Sequence, residues 1–98
     1  METILSPFQL GLMDKVTVYP NPFQSRISLE VSSLHSETAV VSMLNNKERI
    51  IKMFSWYIKA GTNKTSLDGL SSLPAGTYLI QLRDTSGNII SETPITKD

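Results

Sequence analysis

A chain of 98 residues suits one domain with a modest core, and nine acidic against nine basic residues leave no net field toward nucleic acid or an anionic membrane. The lack of cysteine excludes disulfides and thiolate metal sites. No apolar run approaches the roughly 20 residues that cross a bilayer as a helix, and no basic segment precedes an apolar stretch at the start, as a signal peptide would require.

Residues 1–15 show neither strand alternation nor helical spacing, and Pro7 and Gly11 interrupt them. They read as a leader or linker from a preceding region, with Ile4, Leu5, Phe8 and Leu10 free to lie on the domain that follows. That domain, residues 16–98, opens with a short strand, Val16 to Tyr19, stopped by Pro20-Asn21-Pro22. A second strand, Arg26 to Val31, turns Ile27, Leu29 and Val31 inward. Ser32 to Glu37 is a polar connection, and Thr38 to Leu44 is a strand with Ala39, Val41 and Met43 inward.

Asn45 to Glu48 reads as a hairpin turn, because asparagine tolerates left-handed backbone. The long strand Arg49 to Lys59 is apolar on both faces: Ile50, Phe54, Trp56 and Ile58 share one parity, Ile51, Met53 and Tyr57 the other. Ala60 to Asn63 turns the chain, and Lys64 to Leu67 returns with Thr65 and Leu67 on one side.

Leu73-Pro74-Ala75-Gly76 then forms a turn that asks for positive φ at Gly76. Tyr78, Ile80 and Leu82 alternate after it as the buried face of a strand. A tyrosine at this place can bury its ring while its hydroxyl bonds the backbone of the preceding turn, the tyrosine corner of sandwich domains. Asp84 to Asn88 makes a hairpin with Gly87 at the strained position, and Ile89 to Thr96, interrupted by Pro94, suits a sheet edge. Seven strands at spacings of about 8 to 12 residues and no helix give an all-β fold, a seven-stranded antiparallel immunoglobulin-like sandwich.

The residues offer little chemistry. His35 is the single histidine and stands in a polar loop, with no cysteine or second histidine to complete a metal site or triad. Asp84 and Asn88 lack the ligand spacing of a calcium loop, and Asn63-Lys64-Thr65, a possible glycosylation acceptor, already has a turn to make. Serines and threonines have no base to activate them, and there is no glycine-rich phosphate cradle. The expectation is a protein that is not an enzyme and carries no cofactor.

Four segments carry a family resemblance. Val18-Tyr19-Pro20-Asn21-Pro22-Phe23 resembles the Tyr-Pro-Asn-Pro opening of type IX secretion system C-terminal sorting domains, most closely those of type A. Ala60-Gly61-Thr62-Asn63 with Leu67-Asp68 is similar to their central Gly-x-Asn segment. Leu73-Pro74-Ala75-Gly76-Thr77-Tyr78 matches their Leu-Pro-Ala-Gly-x-Tyr signature, and Asp84 to Asn88 their last hairpin. The likeness covers Val16 to about Lys97, and four blocks in the same order make it specific. Two places depart: the family commonly puts Asp and Gly in the turn held here by Asn45 to Glu48, and ends in a basic tail matched here by Lys97 alone.

The resemblance implies an export signal for an N-terminal cargo, crossing the periplasm to the surface or surroundings of a Gram-negative bacterium. It implies as partners the outer-membrane translocon, its shuttle protein and a sortase-like peptidase that removes the domain as it attaches the cargo. Nucleic acid and small-molecule substrates have no place in it. Within that frame Pro74, Gly76 and Tyr78, with Gly61, Asn63, Leu73 and Gly87, act mainly on turn and core. The rim Tyr19, Pro20, Asn21, Pro22 and Phe23 and the C-terminal strand with Ile95 and Lys97 are the expected recognition surface.

Phe54, Trp56 and Tyr57 form a candidate interface, since one sheet of a small sandwich cannot bury both faces of their strand. The leader, a partner, or a second copy paired through an edge strand would cover it. On this expectation Trp56→Ser leaves the fold intact. Two other function classes compete with sorting: a carbohydrate-binding or adhesion module stacking sugars on Trp56 or Tyr57, and a spacer between domains.

Overall fold

The computed structural model describes residues 13–98 as seven strands: β1 (Met13–Tyr19), β2 (Ile27–Ser33), β3 (Glu37–Leu44), β4 (Ile50–Ile58), β5 (Gly61–Leu67), β6 (Gly76–Asp84) and β7 (Ile89–Lys97). They form two antiparallel sheets, ordered β1-β2-β5 and β4-β3-β6-β7. The fourth strand thus pairs with β3 rather than β5, and the all-β sandwich expected from the strand spacing is the fold observed. The expected packing of Ile4, Leu5, Phe8 and Leu10 lies outside the described residues.

The alternation read from the sequence sets the core. Ile27, Leu29 and Val31 of β2 face Ala39, Val41 and Met43 of β3 and Tyr78, Ile80 and Leu82 of β6, all buried, with Phe23, Ile58, Leu67, Leu70 and Ile95 completing the cluster. Each such side chain contributes about 1.5–3 kcal/mol relative to exposure. The two outer faces differ. On the three-stranded sheet, Thr17, Tyr19, Ser28, Glu30, Ser32, Thr62, Lys64 and Ser66 share the outer parity and are polar apart from one ring. On the four-stranded sheet, Met53 and Tyr57 stand exposed beside Val40 and Leu44 of the neighbouring strand.

Several boundaries and one parity differ from the sequence reading. β1 starts at Met13, three residues before Val16, because its pairing with β2 continues past a bulge to Ser33. Gly61 to Asn63 belong to β5, paired to Ser33, Ser32 and Val31, instead of to the preceding turn. β7 runs unbroken through Pro94 to Lys97, since Pro94 faces the open edge, where no donor is needed. In β4 the ladder passes from Met43–Lys52 to Leu44–Ile50, leaving Ile51 as an extra residue. That bulge reverses the face of everything before it: Ile51 packs on the core and Ile50 points out.

Candidate functional site: the motif-bearing pole

The strand directions put every connection at one of two poles. Tyr19 to Arg26, Asn45 to Arg49, Asp68 to Ala75 and Thr96 to Asp98 gather at one; Leu34 to Ser36, Lys59 to Ala60, Thr85 to Asn88 and Met13 gather at the other. β6, nine residues long, separates them by about 30 Å at the usual rise per residue. Two of the signature blocks, Tyr19 to Phe23 and Leu73 to Tyr78, therefore meet at the first pole with the C-terminal residues. The segment Gly61 to Asn63 and the hairpin Asp84 to Asn88 lie at the second.

The rim is clasped to β7. Tyr19–Pro20 and Asn21–Pro22 are cis peptide bonds. Phe23 N donates to Thr96 O at 2.8 Å, Asp98 N donates to Phe23 O at 3.1 Å, and Thr96 N donates to the Asn21 side-chain oxygen at 3.0 Å. Phe23 thereby lies parallel to Lys97 as a one-residue extension of the sheet edge. Its ring is fully buried and meets the Tyr78 ring edge-on, with centroids 5.9 Å apart. The Tyr78 hydroxyl donates to Pro74 O at 2.6 Å, the tyrosine corner expected of this strand. One aromatic pair thus joins the Pro-Asn-Pro block to the Leu-Pro-Ala-Gly block.

This placement divides the expected recognition residues. Pro20, Asn21 and Pro22 are exposed on the pole, whereas Phe23 and Ile95 are sealed in the core and Lys97 is largely buried, its Nζ donating to Asp98 O. A partner docking on this pole meets the two prolines and Asn21; Phe23, Ile95 and Lys97 hold them in place. Tyr19 looks out over the three-stranded sheet, where its hydroxyl donates to the Glu30 carboxylate. Lys64 Nζ sits 5.8 Å from the Tyr19 ring centre and 3.9 Å from Glu30, and its hydrogen bond with Tyr19 raises its pKa.

The backbone at this pole also closes on itself. Leu70 N donates to Ser25 O and Leu73 N to Leu70 O, while Arg26 Nε donates to Asp68 Oδ1 at 3.0 Å. The signature aspartate therefore ties the β5–β6 connection to the start of β2. Between the β3–β4 turn and the Leu73 to Thr77 segment lies a cavity of about 290 Å³, bordered by Lys47, Arg49, Ile51, Leu73 and Tyr78 among others. Sequence reading missed it, since its two walls are some 25 positions apart in the chain.

At the opposite pole Asn63 has a structural part. Its side-chain oxygen accepts from Lys59 N at 2.9 Å and its Nδ2 donates to Lys59 O at 2.8 Å, pairing with that peptide as another strand would. With the amide so engaged, the Asn-Lys-Thr pattern is accounted for by the turn. Asp84 likewise serves a turn: its Oδ1 accepts from Ser86 N and Asn88 N, and its Oδ2 from Asn88 Nδ2. Those bonds, led by the Asn88 side chain, hold its carboxyl below the ordinary carboxylate range. Among the described residues no cluster of three or more His, Cys, Asp or Glu side chains could hold a metal ion.

Of the expected aromatic interface, Phe54 and Trp56 turn inward and lie half-buried against the core. Tyr57, with Met53, is the outward member.

The chain is a two-sheet antiparallel sandwich with two of its four motif blocks at one pole and two at the other. The family model described as "Secretion system C-terminal sorting domain" matches residues 17–96, and the chain belongs to that family of type IX secretion sorting domains, which is not an enzyme family. No curated protein matches the chain. Among solved structures it resembles a region of the Bifidobacterium adolescentis GH3 beta-glucosidase, with TM-score 0.54, 17% identity, 88% of this chain and 17% of the enzyme covered. A Kluyveromyces marxianus beta-glucosidase gives TM-score 0.53 and 16% identity over 88% of this chain and 14% of the enzyme. The chain spans less than a fifth of either enzyme, and likeness at this identity shows the shared fold alone.

Proposed function

We propose that the domain is the export signal of a cargo joined ahead of Met13, and that the translocon and its shuttle protein dock on the pole formed by Pro20, Asn21, Pro22 and the Leu73 to Gly76 turn. The observation that carries this reading is polarity. Chain enters β1 at one pole, and two signature blocks with the C-terminal residues occupy the other, about 30 Å away. A bulky cargo on the entry side then leaves the docking pole uncovered. The rim is held by three hydrogen bonds and a buried aromatic pair, so little ordering entropy opposes docking. In this picture a sortase-like peptidase cuts on the entry side as the cargo reaches the surface of a Gram-negative cell.

The test places residues 1–98 behind a signal peptide and a fluorescent reporter, in a host with a working type IX system and in a translocon-null twin. Reporter outside the cell only in the working host is the expected result. Periplasmic retention in both, with the domain folded, overturns it and favours the adhesion or spacer role. Pro20→Ala with Pro22→Ala should fold and lose export; normal export of that variant removes the pole from the mechanism.

A further inference from the structure

The ladder between β3 and β6 stops short of the start of β6. Its last pair is Leu44 with Leu79, while Gly76, Thr77 and Tyr78 pair with β7 alone. Thr77 stands opposite Thr96, whose own N–H and C=O are turned away from it, toward Asn21 and Phe23. In an antiparallel pair of that kind both residues aim their backbone groups away from each other. The N–H and C=O of Thr77 therefore point to the side where β3 would continue. There the chain has left the sheet: the turn bonds join Asn45 to Arg49 and Glu48 to Asn45, and none of them reaches Thr77.

The cavity of about 290 Å³ occupies this gap, at the lower end of the range for ligand sites. Ile51, Leu73 and Pro74 give it an apolar wall, and Lys47 and Arg49 border it as two exposed cations. Among the described residues no acidic side chain borders it; Glu48, between the two cations in the chain, is not part of the wall. An occupant thus meets one open backbone rung, an apolar surface and two positive charges. A small inorganic anion leaves the rung and the wall unused, and a space of this size has no room for a whole strand. The carboxyl end of a peptide satisfies all three.

We propose that this notch captures the C-terminal end of an extended peptide whose last residue is apolar. The peptide adds one rung to β6 through the Thr77 backbone, and its last side chain lies against Ile51 and Leu73. Its terminal carboxylate faces Lys47 and Arg49. The notch shares the Leu73 to Gly76 turn with the proposed docking pole, but it is read by binding of a free peptide, so the export assay and the binding assay fail separately.

The probe is the peptide Gly-Ser-Ala-Val-Leu, labelled with fluorescein at its N-terminus and titrated by anisotropy against the 98-residue chain. The same peptide with a C-terminal amide serves as the control. The free acid should bind about tenfold more tightly than the amide, from two exposed ion pairs. Saturation with it should slow exchange of the Thr77 amide and leave that of Thr17, on the other sheet, unchanged. Lys47→Gln with Arg49→Gln should fold, because both residues hold the turn through backbone atoms. It should bring the acid down to the affinity of the amide. Equal binding of acid and amide, binding of neither, an unmoved Thr77 amide, or no effect of the double variant overturns the proposal. So does displacement of the acid peptide by acetate at equal concentration, which would make the site one for a free anion. A Thr77 amide already protected in the free monomer also overturns it, because the notch would then be filled by the chain itself.

Discussion

The side-chain oxygen of Asn21 accepts a hydrogen bond from the backbone N of Thr96, 75 positions later, at 3.0 Å. This bond and the two from Phe23 to Thr96 and Asp98 fasten the first motif of the chain to its end. Asn21→Ala removes the acceptor and leaves the Thr96 N–H to water. The expected loss is about 1 kcal/mol in urea unfolding, with faster amide exchange confined to Thr96 and its neighbours. An unchanged Thr96 exchange rate would show that Phe23 alone holds the clasp.

The two motif blocks at the pole also share Tyr78. Its hydroxyl bonds Pro74 O at 2.6 Å and its ring meets Phe23. Tyr78→Phe keeps the ring and orphans the carbonyl, for an expected cost of about 1–2 kcal/mol. Phe23→Ala, which deletes a fully buried ring, should cost about 3–5 kcal/mol. Thermal denaturation of both variants orders the contributions; the reverse ranking would mean that the hydroxyl, and not the ring, organises the pole.

Glu48 and Gly87 hold the same place in two turns of one design. In each, the first residue's carbonyl accepts from the fourth residue's N–H, and its side-chain oxygen accepts from the backbone N of the third and fifth: Asn45 from Lys47 and Arg49, Asp84 from Ser86 and Asn88. The fourth residue has φ of 63° at Glu48 and 90° at Gly87. Glu48→Gly should therefore stabilise the domain, and Gly87→Ala destabilise it, each by about 1 kcal/mol. No heavy atom lies within 4 Å of a Cβ built at Gly87, so the cost there is conformational and not steric. Chemical denaturation reads both, and a destabilised Glu48→Gly would refute the equivalence.

How much of this was legible in the chain follows from the same turns. That Asn45 to Glu48 turns the chain was readable from two asparagines, but not that Glu48 would take the left-handed conformation. Asn45 spends its side chain as the acceptor of the turn and so stays at the first position. In β2, β3 and β6 strict alternation named the buried residues, because one face of each meets the opposite sheet. In β4 it failed at Ile50, since a bulge adds one residue and reverses parity without any mark in an all-apolar stretch. At the pole, the motifs were visible but not their meeting. Phe23 was expected as part of an open rim and Ile95 as part of an edge strand, and the pairing of Phe23 with Lys97 closes that edge over both.

Two carboxylates near the entry pole should pull stability in opposite directions with pH. Burial, followed by the nearby charge of Asp84, raises the Glu37 pKa above its ordinary 4.5 against a smaller pull from His35; its Oε2 is shut from solvent without a partner. A raised carboxyl favours the fold below the unfolded pKa, and that support fades as pH rises through the folded value. Asp84 is the reverse. Its pKa lies below the ordinary 3.8, so its support is present above that value and disappears as pH falls through the folded one. Glu37→Gln should then raise the melting temperature at pH 7 and leave it unchanged near pH 3. Asp84→Asn should lower it at pH 7 and converge with wild type in stronger acid. Because Asp84 is itself a cause of the Glu37 shift, the two effects are coupled: Glu37→Gln should gain less in the Asp84→Asn background than alone. Melting curves of the four proteins between pH 2 and 8 test this, and strictly additive shifts at pH 7 would separate the two groups.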